Sequence, residues 1–270
     1  MLIFAYDGSL HGDWVAHYAL RFAASQAPRH LRLVHVTDAP PVAELPARLD
    51  RIAAEAARLG VALDVELVPH GDGDVAAALL ALAPAGATVI TGTRARPRAR
   101  SFLAGTSPAR LLAARAVGVI ALHIVAPGVL GQPGRVLLPI LDRGPLVARA
   151  LPLLQLLRPD LEHLHVALIR ERSALRARLG STGEQRRAHA DDARHLAAVE
   201  HALRLGLAPT PPAIDGSVTV APDAAREIAL AAARHRARLI CLDAEATAGG
   251  ALERVLRVAP ADVAIVRGVS

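Results

Sequence analysis

Ile3-Phe4-Ala5-Tyr6-Asp7-Gly8-Ser9 near the start and Val136-Leu137-Leu138-Pro139-Ile140-Leu141-Asp142-Arg143-Gly144 near the middle share one pattern. Each is an apolar run of strand length that ends in a turn carrying an acid and a glycine. Leu33-Val34-His35-Val36 is echoed in the same way by Leu161-Glu162-His163-Leu164-His165-Val166. His165 follows His35 by 130 residues, and Asp142 follows Asp7 by 135. A pattern that returns at a near-constant offset is an internal duplication. In a chain of 270 residues it predicts two domains of one architecture, 1–130 and 131–270, each long enough to bury its own core. Pro127-Gly128 and Gly131-Gln132-Pro133-Gly134 punctuate the join.

Within each copy, short apolar runs alternate with Ala-rich amphipathic segments, the pattern of a parallel sheet with crossover helices. The first copy predicts strands at Leu2–Tyr6, Leu31–Val36, Ala62–Val68, Ala87–Thr91 and Val119–Val125. Its helices are expected at Gly12–Ser25, Val42–Leu59, Asp74–Leu82 and Ser107–Arg115. The second predicts strands at Arg135–Leu141, His163–Ile169, Ser217–Val220, Leu239–Leu242 and Val263–Val266, with helices at Pro145–Leu157, Gln185–Leu205 and Ala221–Arg236. Arg170 to Ala188 reads as extra polar material.

Composition narrows the function classes. Hydrophobic content of 53% and charged content of 21% belong to a globular chain. Every basic residue is Arg, and the net charge of +6 is spread over helical stretches interleaved with acids. No basic stripe with aromatics and no nucleic-acid module is present, so nucleic acid is not an expected partner. Cys241 is the single cysteine, inside Leu239-Ile240-Cys241-Leu242, which excludes an intrachain disulfide and fits a reducing, cytoplasmic compartment. The uncharged run Val75–Thr93 is broken by Pro84 and Gly86 and reads as a helix, a turn and a buried strand rather than a membrane span. No signal peptide is evident.

Ligands of open parallel sheets collect outside the carboxyl ends of strands. Two segments of the first copy are expected to meet there: Ala5-Tyr6-Asp7-Gly8-Ser9, and the loop that runs from Gly92-Thr93-Arg94-Ala95 to Gly105-Thr106-Ser107-Pro108. Gly92 would let backbone approach a ligand, Gly105 would allow a tight turn, and the amides of Thr106 and Ser107 would open a helix, where an anion is favoured. Arg94, Arg96, Arg98 and Arg100 flank the loop and would suit phosphate oxygens.

In these features the chain resembles the tandem universal stress proteins (UspA-like). Their ATP-binding members carry G-x-x-G, nine residues, then G-S/T; here the pattern is Gly92, Ala95 in place of the second glycine, and Gly105-Thr106. The resemblance implies an α/β fold of two tandem open parallel five-stranded sheets in the order 3-2-1-4-5, with helices on both faces. The two would be paired as a pseudo-dimer through Val119–Val125 and Val263–Val266. It implies adenine and ribose contacts from Ala5, Tyr6, Asp7 and Val36, and phosphate contacts from the backbones of Gly92, Ala95, Gly105, Thr106 and Ser107. If position 95 needs positive φ, alanine is strained there; if φ is negative, its amide is kept.

The function implied is regulatory binding of ATP or a related adenine nucleotide, alone or with Mg2+, in the N-terminal copy. Hydrolysis would be slow at most. The alternative is a nucleotide-free, stress-related interaction protein of the same fold, with a protein partner or a second copy of itself. A third reading, an adenine-nucleotide hydrolase, lacks the S-G-G-x-D-S loop that such an enzyme would carry.

The second copy has lost the loop. Cys241-Leu242-Asp243 stands against Ile90-Thr91-Gly92, placing a carboxylate at the would-be phosphate site, so a structural role is expected. No catalytic or metal set is expected elsewhere. His35 and His165 recur at matching positions and read as fold residues. His163 and His165 share a strand face without an identifiable acidic partner, and His189, His195 and His201 are spaced by six. Ser9 and Ser217 lie in no G-x-S-x-G elbow, and a chain without Lys has no P-loop.

Overall fold

The apolar runs of the first half form β1 (Leu2–Tyr6), β2 (His30–Thr37), β3 (Ala62–Pro69), β4 (Thr88–Gly92) and β5 (Gly118–His123). The structure, a computed structural model, describes residues 1–37, 43–69, 74–93, 106–129, 131–141, 144, 146–171, 182–245 and 250–268. The chain divides into two compact units, Met1–Gln132 with Ala264–Ser270, and Pro133–Val263.

In the first unit the strands lie in the order β3-β2-β1-β4-β5, with the four pairs all parallel. Parallel neighbours cannot be joined by a tight hairpin, so the connections carry helices. These are α1 (Leu10–Ala24), α2 (Leu45–Arg58), α3 (Val75–Leu82) and α4 (Ser107–Ala113). Their starts have local causes. Gly8 takes a positive φ of 72°, and Ser9 Oγ then accepts the Gly12 amide at 3.0 Å, capping α1, with Asp13 in its positively polarised first turn. Thr106 Oγ1 accepts the Ala109 amide at 3.4 Å and caps α4, whose first turn holds Pro108.

Alternation along β1 assigns the two faces. Ile3, with Val34 and Val89, packs against Ala76 and Leu79 of α3 and Leu111 of α4. Tyr6 points the other way, where its hydroxyl donates to Asp13 of α1 at 2.5 Å. β5 is buried along its whole length, whereas the edge strand β3 is half exposed, as expected of a strand with one paired side. β10 (Asp262–Arg267) lies next to β5. There the Arg267 guanidinium, 6% exposed, donates to the carbonyl of Leu112 at 2.6 Å and to that of Ala114. It thereby satisfies acceptors that the C-terminus of α4 leaves open.

The second unit repeats the plan with β6 (Arg135–Ile140), β7 (His163–Glu171), β8 (Ala213–Ala221) and β9 (Leu239–Asp243), in the order β9-β6-β7-β8. Its helices are α5 (Leu146–Leu157), α6 (Thr182–Gly206), α7 (Ala224–Arg234) and α8 (Ala251–Val258). Two elements differ from the sequence expectation. β8 begins at Ala213 rather than Ser217, because an edge strand tolerates the polar stretch Asp215-Gly216 that reads as a turn. α8 has no counterpart among the expected helices; Val255 and Leu256 bury its apolar side in a short segment otherwise rich in charge.

Among the described residues no helix is long and apolar enough to cross a membrane. Val75–Thr93 is α3, a turn at Pro84–Gly86 and β4. Cys241 is fully buried in β9, and burial, with Asp243 nearby, pushes its thiol up to about 12. The native thiol therefore stays protonated at neutral pH and out of reach, and should react with a disulfide reagent at pH 8 only when the chain unfolds. Arg267→Ala should destabilise the first unit by about 2 kcal/mol, by analogy with other hydrogen bonds to a charged group. Hydrogen exchange checks it, with amides of α4 losing protection first.

Candidate functional site

β1 is flanked by β2 on one side and β4 on the other, so the chain leaves it in both directions. This is the switch point at which open sheets hold ligands. The register Ala5↔Thr91 brings the segment after β1 beside the end of β4. Ala5 and Val36 are half-buried, and Ala5 packs against the α3–α4 side of the sheet. Tyr6 is buried under α1, where burial first, and then the Asp13 hydrogen bond, push its phenol well above the usual tyrosine range. Only its backbone can serve a ligand at the rim, and that carbonyl already accepts from His35 Nδ1 at 2.9 Å.

Asp7 is exposed, and its Oδ1 accepts the Ser9 amide at 3.1 Å and the Ser9 hydroxyl at 2.6 Å. It therefore builds the turn into α1. Gly92 ends β4 against α1. A Cβ there would lie 3.1 Å from His11 Nδ1 and 3.2 Å from a Val15 methyl, so the glycine lets α1 sit down on β4. Thr93 is buried and anchors the chain after β4, its amide donating to the Leu122 carbonyl at 2.7 Å. Thr106 and Ser107 are half-buried at the start of α4. Ala95, Gly105 and the four flanking arginines lie outside the described residues.

The counterpart rim of the second unit holds a different arrangement. Register places Asp243 where Gly92 stands, since Val136 and Leu2 occupy matching places against Leu239 and Thr88. The Asp243 side chain is buried, and Arg149 of α5 donates to its Oδ2 at 2.7 Å while also reaching Glu245. Asp243 Oδ1 accepts the Glu245 amide at 2.9 Å. Position for position, the second unit fills this place with its own ion pair.

A separate cluster lies at the opposite rim of that sheet. The register of β8 against β7 sets Asp215 opposite His165, with 2.7 Å between Asp215 Oδ1 and His165 Nδ1. The acidic partner that the sequence does not reveal is thus Asp215, hidden because a strand beginning at Ser217 leaves it outside the ladder. The registers also separate two histidines that the sequence pattern pairs. β2 starts with His30 opposite Ala62, and β7 with His163 opposite Ala213. His163 therefore matches His30, His165 matches Arg32, and His35 matches Leu168.

Replacing Asp243 by Ala leaves the Arg149 guanidinium without its buried carboxylate and should destabilise the second unit by about 2 kcal/mol, less than a fully buried pair because Arg149 is partly solvated. Urea denaturation of Asp243→Ala beside a compensating Asp243→Ala/Arg149→Met variant measures it, the double change recovering part of the loss.

No protein-family model and no curated protein matches the sequence. Among solved structures, the chain is similar to a universal stress protein from Archaeoglobus fulgidus DSM 4304 at 14% identity, covering 99% of this chain and 96% of that one with a TM-score of 0.62. It is similar to a functionally unknown protein from Pseudomonas aeruginosa PAO1 at 14% identity, with 99% and 92% covered and a TM-score of 0.56. The cytoplasmic domain of a prokaryotic cation chloride cotransporter matches at 12% identity, with 99% and 95% covered and a TM-score of 0.60. Over its whole length, then, the chain has the α/β fold found in universal stress proteins.

Proposed function

We propose that the first unit binds ATP or a related adenine nucleotide, alone or with Mg2+, as a regulatory ligand, and that the second unit is structural. The observation that carries this reading is the switch point beside β1. Asp7 and Thr93 follow neighbouring strands there, and the capped start of α4 returns from the loop that holds the Gly92-x-x-Ala95 and Gly105-Thr106 spacing. Half-buried Ala5 and Val36 offer apolar contact for a base. The Asp243–Arg149 pair supports the division of labour: an internal carboxylate and its cation hold the place where the first unit would meet phosphate. Asp7 Oδ1 accepts from Ser9 in the turn, so turnover is expected to be slow at most.

A second reading, a partner platform without nucleotide, is favoured by one feature. An apolar groove of about 570 Å³ runs between α7 and α8, lined by Ala229, Leu230, Val258 and Pro260, with Leu230 and Val258 half exposed. The same fold serves as the cytoplasmic domain of a transporter in one of the similar structures.

Thermal shift and calorimetry with ATP and Mg2+ separate the two. Nucleotide binding predicts a saturable rise in Tm that Gly105→Asp abolishes, through repulsion of phosphate, and that Ala95→Gly keeps or strengthens. No response of the wild type at millimolar ATP leaves the platform reading. Phosphate release that depends on Asp7 would instead make the protein an enzyme.

A further inference from the structure

The second unit gathers three imidazoles and a carboxylate where the first has a row of ion pairs. His163 and His165 of β7 are two apart and project from one face. Asp215 Oδ1 lies 2.7 Å from His165 Nδ1 and 3.4 Å from His163 Nε2. His235, which caps the C-terminus of α7, stacks on His165 with ring centroids 3.4 Å apart and planes 14° from parallel. One ring nitrogen from each of these two histidines and a carboxylate oxygen of Asp215 fall within 4.8 Å of one another. The remaining nitrogen of His165, Nε2, is 2.9 Å from Ser217 Oγ.

The fold does not require this arrangement, and the first unit serves as an internal control. Matching registers place Arg32, Asp64 and Glu66 where the second unit has His165, Asp215 and Ser217. There Arg32 donates to Glu66 at 2.8 Å, and His30 meets Asp64 at 2.7 Å. The C-cap before the fourth strand is Ala83, where the second unit has His235. The structural duty of the strand position is met by an arginine in the first unit; the second unit has His165 there and adds His235 at the C-cap.

We propose that His165, His235 and Asp215 bind a divalent ion of the zinc class, with His163, 3.4 Å from Asp215, placed to complete the set and Ser217 orienting His165 from outside it. Imidazole nitrogen and carboxylate oxygen are the donors such ions prefer when thiolates are absent. The observed 2.7 and 3.4 Å spacings bracket the roughly 3.3 Å edge of a tetrahedron drawn around zinc at its usual bond lengths. With Nδ1 on the ion, the single ring proton of His165 sits on Nε2 and donates to Ser217 Oγ, the outer hydrogen bond that fixes a metal-bound imidazole.

Two stacked rings cannot both aim a nitrogen at one ion in plane, so binding turns the half-exposed His235 ring out of the stack. The line Ser217–His165–Asp215 also has the order of a hydrolytic triad. However, Ser217 lies inside a strand, not at a turn or helix start that would offer paired amides to an oxyanion.

The test is titration of the EDTA-treated full chain with Zn2+ by calorimetry, and with Co2+ by visible absorption. One equivalent is expected, with the intense bands of tetrahedral Co2+. His235→Ala and Asp215→Asn, both partly exposed, should each weaken binding at least about tenfold, and Ser217→Ala by about tenfold as an outer-shell change. His30→Ala, at the matching place in the first unit, should leave it unchanged. Circular dichroism confirms that each variant is folded. Equal affinity in wild type, His235→Ala and Asp215→Asn would overturn the site, as would octahedral Co2+ spectra alone. Labelling of Ser217 by a fluorophosphonate, without metal binding, would replace it with the hydrolytic reading. Neither outcome bears on nucleotide binding by the first unit.

Discussion

Parallel pairing is the constraint from which the rest of this protein follows. Because β1 pairs in parallel with both β2 and β4, every connection in the first unit must cross the sheet, and every strand ends on the same rim. A residue's place in the ladder then decides whether its side chain lies at the rim or packs under a helix. Asp7, Gly92 and Thr93 arrive together at the rim, while the Tyr6 side chain is turned under α1. The second unit obeys the same rule, and its register brings Asp215 to His165 across 50 residues of sequence.

The two units share a scaffold and differ at corresponding places, which makes each the control for the other. At the carboxyl rim, Gly92 admits α1 in one unit, whereas Asp243 holds Arg149 in the other. At the amino rim, Arg32 pairs with Glu66, whereas His165 bridges Asp215 and Ser217. Neither change alters the ladder, since strand pairing uses backbone groups. Chemistry can therefore diverge at these positions while the fold persists, and low sequence identity to proteins of the same fold is the natural result.

Much of the fold is legible in the sequence because buried parallel strands are near-continuous apolar runs. β1, β4, β6 and β9 stand where the sequence predicts strands at Leu2–Tyr6, Ala87–Thr91, Arg135–Leu141 and Leu239–Leu242, each within a residue or so at either end. The edge strand β8 is legible only in its second half, since Asp215-Gly216 resembles a turn and an edge needs only one apolar side. That resemblance hides the histidine cluster. The equivalence of His35 and His165 fails for a related reason: an offset counted along the chain absorbs insertions in loops, whereas ladder register does not. Asp7 is readable both as a turn acid and as a ligand contact; its bonds to Ser9 place it in the turn.

From its order of apolar runs and turns alone, the chain determined a duplicated parallel α/β architecture, because burial on both faces of a strand leaves a local signature. Which polar side chains face one another was decided only by the tertiary structure. Asp215 with His165, His235 on His165 and Arg149 with Asp243 depend on strand register and on where a helix ends, and no local pattern encodes either.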